Sequence, residues 1–137
     1  MNKSMEQEIS PLLVTAAVII QEDHVLISLR PDHKPQGGLW EFPGGKLNPG
    51  ESPEEALQRE LKEELDLKID VKRIIDALYY RYPWGPVLIL AYSCRIIEGT
   101  PQNIEVADHC WAPLKNLHQF EFLAADLPLV NRLQRLK

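Results

Sequence analysis

The chain has 137 residues, 45% of them apolar and 26% charged, which suits one globular domain with a real core. Its net charge of −5 excludes the basic footprint of a protein that binds a nucleic-acid polymer, so an anionic small-molecule partner would need a bridging cation or a local basic pocket. The two cysteines, Cys94 and Cys110, lie in apolar surroundings outside any C-x-x-C pair, which favours buried reduced thiols over a metal or redox motif.

Residues 1–10 read as a flexible polar tail, and 11–137 as a single domain. The tail carries Glu6 and Glu8, unlike a signal peptide, and the apolar run from Leu12 to Ile20 is too short to span a membrane. A cytoplasmic protein with no membrane partner is expected. "LLVTAAVIIQ" predicts a buried strand rich in β-branched residues, "EDH" a turn, and "VLISLR" a second, alternating strand. "PDHKPQGG" (Pro31 to Gly38) is a loop, and "LWEFPGGKL" is extended but broken by Pro43, Gly44 and Gly45.

A helix is predicted from Pro53 to about Asp66. Ser52 is its N-cap, Pro53 takes the first helical position, and Glu55 completes a capping box. "KIDVKRIIDALYYRYP" and "VLILAYSCRII" predict two long strands joined by a turn at "PWGP". "EGTPQNIEVADH" is a loop, "CWAPL" a short strand, and "AADLPLVNRLQRL" a last helix. The order of strands, helix, strands, helix predicts a mixed α/β layered domain.

Within the first helix "RELKEEL" gathers Glu60, Glu63 and Glu64 in five residues, although like charges three and four apart repel by ~0.2–0.5 kcal/mol per pair. Leu57, Leu61 and Leu65 form the core stripe, and the three acids span an arc of about 100° centred about 110° from it. They therefore sit at the shoulder of the core. A solvated acidic face is the plain alternative. Against it, no lysine or arginine lies inside the arc, and the helix follows a Pro-Gly-Gly loop whose backbone can approach a ligand closely. Clustered carboxylates beside exposed carbonyls suit a hard divalent ion such as Mg²⁺.

The run from Gly45 resembles the signature of the Nudix hydrolases: glycine, five residues, Glu51, seven residues, then "RELKEELDL". Gly45, Glu51, Arg59, Glu60, Leu61, Glu63, Glu64 and Leu67 match; Asp66 stands where the family usually has a helix-ending glycine. Aspartate tolerates that left-handed conformation, so a small stability cost is expected and no loss of chemistry. "LWEFPGGK", the "RP" after the second strand, Trp111 and "AADLPLV" resemble the MutT branch and its CTP-preferring relatives.

The resemblance implies a Nudix α/β/α sandwich with a mixed sheet. It also implies Mg²⁺ dependence, with Mn²⁺ as a substitute, and hydrolysis of (deoxy)nucleoside triphosphates to monophosphate and pyrophosphate by water attacking the β-phosphorus. The substrate would be CTP-like, or oxidised like 8-oxo-dGTP in a DNA-repair role. It further implies metal ligation by Glu60, Glu63, Glu64 and the Gly44 carbonyl, with Glu105 as an additional ligand or base; a loop surface charge is the alternative for Glu105. Arg59 is expected to orient the acids by pairing with Glu51 or Glu63, and Arg30 to contact phosphate. Lys46 either helps the phosphates or is solvated. Glu41, Phe42, Pro43 and Gly44 are expected to border the base pocket, and Asp126 to read the base as an ionised acceptor, to cap the last helix, or both. Trp84 either stacks on a base or is an exposed turn aromatic, and Trp40 and Trp111 are expected in the core.

Two rival functions stand beside the first: a Nudix hydrolase of ADP-ribose or a dinucleotide polyphosphate, and a non-catalytic lesion-recognition module resembling the C-terminal domain of MutY. Neither a nucleic-acid polymer nor an obligate protein partner is expected.

Overall fold

A computed structural model describes residues 10–136. The predicted tail lies outside these residues, apart from Ser10. The first apolar run forms β1 (Leu12–Val18) and, after a break at Ile19, β2 (Ile20–Gln21). One continuous strand was expected. The break marks a change of sheet: β1 runs parallel to β7 (Gly85–Glu98), whereas β2 pairs antiparallel with β3 (His24–Leu29). Ile19 serves the second sheet by accepting the Leu26 N–H at 3.1 Å. The turn between β2 and β3 uses Glu22 and Asp23 at positive φ, a tight hairpin geometry that acidic residues tolerate.

The remaining elements follow the predicted order. They are β4 (Trp40–Glu41), β5 (Gly44–Lys46), α1 (Pro53–Leu65), β6 (Lys68–Tyr82), β7, β8 (Asp108–Pro113) and α2 (Leu127–Gln134). Two 3-10 segments were not anticipated, Leu114–Gln119 and Ala124–Asp126. The first sheet has the order β5-β1-β7-β6; the second has β2-β3-β4, with β8 on β3. Parallel pairing of β1 with β7 inside otherwise antiparallel ladders makes the first sheet mixed.

Strand alternation sends side chains to two cores. Ala16, Val18, Val25 and Ile27 face one core, which Leu129, Val130 and Leu133 of α2 cover. Ala17, Ile19 and Leu26 face the other, covered by Leu57, Leu61 and Leu65 of α1. Strands buried on both faces, with a helix on each side, make the α/β/α sandwich that the fold class required. Cys94 is buried, with its thiol pushed up to about 12 by burial, and Cys110 is half-buried; both are free. No helix among the described residues is long and apolar enough to cross a membrane.

Candidate active site

Helix α1 begins and ends as its sequence dictates. The Ser52 hydroxyl accepts the Glu55 N–H at 3.1 Å, while Glu55 returns a carboxylate to the Ser52 N–H at 2.9 Å. Asp66 adopts the left-handed conformation (φ 58°) in place of the usual glycine. With Leu57, Leu61 and Leu65 fixed in the core, the acids must lie along the shoulder. Their exposure grades accordingly: 7% for Glu64 as a residue, 16% for the Glu60 side chain and 46% for that of Glu63.

The Pro-Gly-Gly turn closes over this shoulder. β5 pairs with β1 through Ala16↔Gly44 and Thr15↔Gly45, and the buried Thr15 hydroxyl donates to the Gly45 carbonyl at 3.1 Å. A Cβ at Gly45 would collide with the Glu60 carboxylate, and one at Gly44 with the Thr15 carbonyl. Only glycine permits so close an approach. The Gly44 N–H reaches the Glu64 carboxyl, yet Glu64 Oε1 is buried without a partner.

Arg59 ties the acids together. Its Nε donates to Glu51 Oε2 at 2.7 Å and its Nη2 to Glu51 Oε1 at 3.0 Å, a bidentate pair. Nη1 reaches Glu60 Oε2 at 3.3 Å and Glu63 Oε1 at 3.1 Å. Nη2 also donates to the Lys46 carbonyl at 2.9 Å, while the Lys46 side chain is exposed. The sequence offered Glu51 or Glu63 as the partner; the structure uses both, and Glu60 too. Arg59 and the Asn48 N–H hold Glu51 below its usual carboxylate range.

Burial has the opposite effect on the deeper acids. It pushes Glu64 well above the ordinary range, and the neighbouring Glu41 and Glu60 push it further. Burial raises Glu60 as well, against the pull of Arg59. A proton therefore stabilises this pair when nothing more positive is present.

These residues fit a divalent ion by their chemistry. Glu64 has a buried oxygen with no partner, Glu60 lies against the glycine turn, and burial raises both carboxyls above their ordinary range. Among the described residues no three acidic, histidine or cysteine side chains form a preformed cage. One or two carboxylates plus retained waters is the usual Mg²⁺ pattern. Glu63 turns to Arg59 rather than inward. Glu105 is exposed, but its backbone N–H donates to the Glu64 carbonyl at 3.2 Å, which seats its loop on the end of α1.

The predicted base-pocket residues gather on the other side of the turn. Residues 121–123 run beside β4: Trp40 N–H donates to the Glu121 carbonyl at 2.8 Å and Leu123 N–H to the Trp40 carbonyl at 3.0 Å. This alignment brings Asp126 to Phe42, whose N–H donates to Asp126 Oδ2 at 3.4 Å. Phe42 stacks on Phe122 with centroids 5.2 Å apart. Asp126 is only 3% exposed, and burial, reinforced by Glu41, pushes its carboxyl up to about 8. One expectation is corrected here: Asp126 occupies the N-cap position of α2 but makes no side-chain cap bond. Burial also disfavours the ionised, acceptor-only form that was expected of it.

Arg30 Nη1 pairs with Glu41 Oε1 at 3.1 Å, and its Nε donates to the Pro35 carbonyl at 3.0 Å, so it is held against the loop 31–38. Glu41 is raised by burial despite Arg30. Trp84 is 62% exposed and stacks on Tyr82 at 5.5 Å. The Tyr82 hydroxyl accepts the Ala125 N–H at 3.3 Å, which sets this aromatic pair beside Asp126. Trp40 and Trp111 pack against the two cores.

Sequence reasoning missed Thr15 and Tyr82. Thr15 had a visible signal, as the lone hydroxyl in "LLVTAAVII". Tyr82 had none, since its role depends on a hydrogen bond across 43 residues.

A family model described as NUDIX domain matches residues 11–133. The chain is similar to a CTP pyrophosphohydrolase of Escherichia coli (strain K12), with 35% identity over 90% of this chain and 92% of that protein. An 8-oxo-dGTP diphosphatase of the same organism is 29% identical over 91% of this chain and 98% of that protein. Among solved structures, the crystal structure of the MutT protein from Methanosarcina mazei Go1 superposes with a TM-score of 0.80 at 23% identity. It covers 91% of this chain and 94% of that one, a likeness of fold.

Proposed function

The chain belongs to the Nudix family of hydrolases, and on that premise we propose that it hydrolyses (deoxy)nucleoside triphosphates in a Mg²⁺-dependent reaction, releasing nucleoside monophosphate and pyrophosphate. The observation that carries this reading is the buried, unpartnered Glu64 oxygen, on the same helix ridge as the Glu60 carboxylate that lies against the glycine turn. A buried carboxylate oxygen without a donor costs about 1–3 kcal/mol or more, and a bound cation removes that cost.

Glu60 and Glu64, with the Gly44 carbonyl, would hold the ion, and Glu63 and Glu105 stand close enough in sequence and fold to complete its surroundings. When bound, Mg²⁺ draws charge from phosphate oxygens and acidifies a water. Arg59 keeps Glu51, Glu60 and Glu63 in register, so the acids do not scatter under mutual repulsion. Thr15 and the β1–β5 pairing fix the glycine turn at one height above Glu60. Glu105 is the exposed carboxylate available to accept a proton beside this ridge. Residues 11–137 act in this reading as one catalytic domain.

At the base end, a protonated Asp126 both donates and accepts. Cytosine offers an acceptor N3 beside a donor N4 amine, and 8-oxoguanine offers O6 beside a protonated N7. Ordinary guanine presents two acceptors on that edge. Asp126 near neutral pH thus suits the substrates named for both relatives and disfavours dGTP. Arg30, held by Glu41, lies between the base end and the acids.

The test is a Mg²⁺-dependent screen of the purified protein against CTP, dCTP, 8-oxo-dGTP, dGTP and ADP-ribose with products identified. Glu64→Gln should fold and lose ~10²-fold or more in turnover, the usual cost of removing a metal ligand or charge-stabilising group. Near-normal turnover of that variant in Mg²⁺, or cleavage of ADP-ribose alone, would overturn the proposal.

A further inference from the structure

An anionic triphosphate approaching this site meets Glu41, Glu60, Glu63, Glu64 and Glu105. Of the cations that sequence motifs point to, Lys46 is exposed on the turn and the two arginines are already committed. Arg59 is bound to Glu51, Glu60 and Glu63, and Arg30 to Glu41. Lys34 is different. Among the described residues no carboxylate lies within 4.0 Å of its ammonium. Yet it is near enough to act electrostatically on both Glu41 and Glu64.

Lys34 sits on a loop built to hold it. Its N–H donates to the Pro31 carbonyl at 3.1 Å, and its own carbonyl accepts the Gly37 N–H at 3.0 Å. The Gly38 N–H closes back on the Arg30 carbonyl at 2.9 Å. Facing it across a cavity of about 400 Å³ is the loop of Ile104, Glu105 and Ala107. That second loop is tied to the β3 end by Ala107 N–H to the Leu29 carbonyl at 2.9 Å, and to α1 through the Glu64 carbonyl.

The loop 31–38 also has a direction. Gln36 lies near the Tyr82 hydroxyl, beside Asp126. Lys34 lies toward Glu64 and Glu105, at the opposite end. A nucleotide laid along this loop, base at Asp126 and phosphates at the acids, brings its outer phosphates to the Lys34 side.

We infer that the Lys34 ammonium binds the β- and γ-phosphates of the triphosphate, the part released as pyrophosphate, in the cavity between the loops 31–38 and 104–107. The inference rests on the proposed triphosphate reading. A long flexible lysine suits this task, since it delivers a point charge to an oxygen whose position shifts as the bond breaks. Charge-assisted bonds to phosphate are the strong class, so loss of this one should be felt in binding.

The experiment titrates inorganic pyrophosphate with Mg²⁺ into the wild-type protein, Lys34→Gln and Lys34→Arg by calorimetry, with CMP and 8-oxo-dGMP as controls. Lys34→Gln should weaken pyrophosphate on the order of 10-fold or more and flatten its salt dependence, leaving the monophosphates unchanged. Lys34→Arg should stay near wild type. Equal pyrophosphate affinity in the wild type and Lys34→Gln, equal losses for pyrophosphate and monophosphate, or no pyrophosphate binding to the wild type, would overturn it. Turnover separates the two claims. Lys34-dependent pyrophosphate binding without triphosphate hydrolysis would refute the function and keep this site. Hydrolysis with a Lys34→Gln variant indistinguishable from wild type would do the reverse.

Discussion

At Asp126, burial rather than residue identity sets the hydrogen-bonding character. The carboxyl is 3% exposed, and burial pushes it up to about 8. The sign of the linkage follows directly. An unfolded aspartate ionises near pH 4, so between about pH 4 and 8 the folded state holds a proton that the unfolded state has released, and stability falls as pH rises. The slope is at most about 1.4 kcal/mol per pH unit for one proton. Asp126→Asn removes it. The melting temperature of that variant, relative to wild type, should climb from pH 5 to pH 8. Its kcat/KM for CTP and 8-oxo-dGTP should keep the wild-type ranking near neutrality and lose the decline expected of wild type above about pH 8. Parallel profiles for the two proteins would contradict this account. The sequence located Asp126 but not its proton, because the burial and the Glu41 charge that raise it arise from the folded packing of residues distant in the chain, and outweigh the Phe42 N–H and Arg30 that lower it.

Helix α1 was legible almost entirely, since its cap, its leucine stripe and its acid ridge are local patterns of period 3.6. Even the left-handed Asp66 follows from the missing glycine. Asp66→Gly should relieve backbone strain and raise stability by ~0.5–1 kcal/mol, or about 2–4 °C, with kcat unchanged. Calorimetry checks it; a lower melting temperature would mean that the exposed Lys62–Asp66 pair (2.7 Å) outweighs the strain. Strands were legible less far. "LLVTAAVIIQ" reads as one strand because periodicity cannot register that the chain leaves β7 for β3 at Ile19. The 3-10 segment Leu114–Gln119 was invisible for a similar reason: it buries only Leu114 and Leu117, too few positions to make a pattern. The loop around Lys34 carries turn residues, but the contacts that orient it lie across the fold.

For the whole molecule, Glu41, Glu60, Glu64 and Asp126 are all raised by burial, so all four oppose stability as pH rises above the carboxylate range. Half-buried Glu51 and Asp70 are shifted the other way, so their contribution is present above about pH 4 and lost below it. The metal-free protein should therefore melt at lower temperature at pH 8.5 than at pH 5.5. Mg²⁺ competes with protons for Glu60 and Glu64, so the rise in melting temperature it produces should be larger at pH 8.5. A Mg²⁺ effect independent of pH would place the ion elsewhere. The two-sided core, the two sheets and the glycine turn together hold the ridge of acids on one side of the turn and Phe42 and Asp126 on the other. The most direct measurement of that claim is hydrolysis of CTP and 8-oxo-dGTP in ¹⁸O water with Mg²⁺, followed by mass spectrometry of both products. The account predicts label in the pyrophosphate and none in the monophosphate, with turnover lost without the metal; label in the monophosphate, or release of orthophosphate, would contradict it.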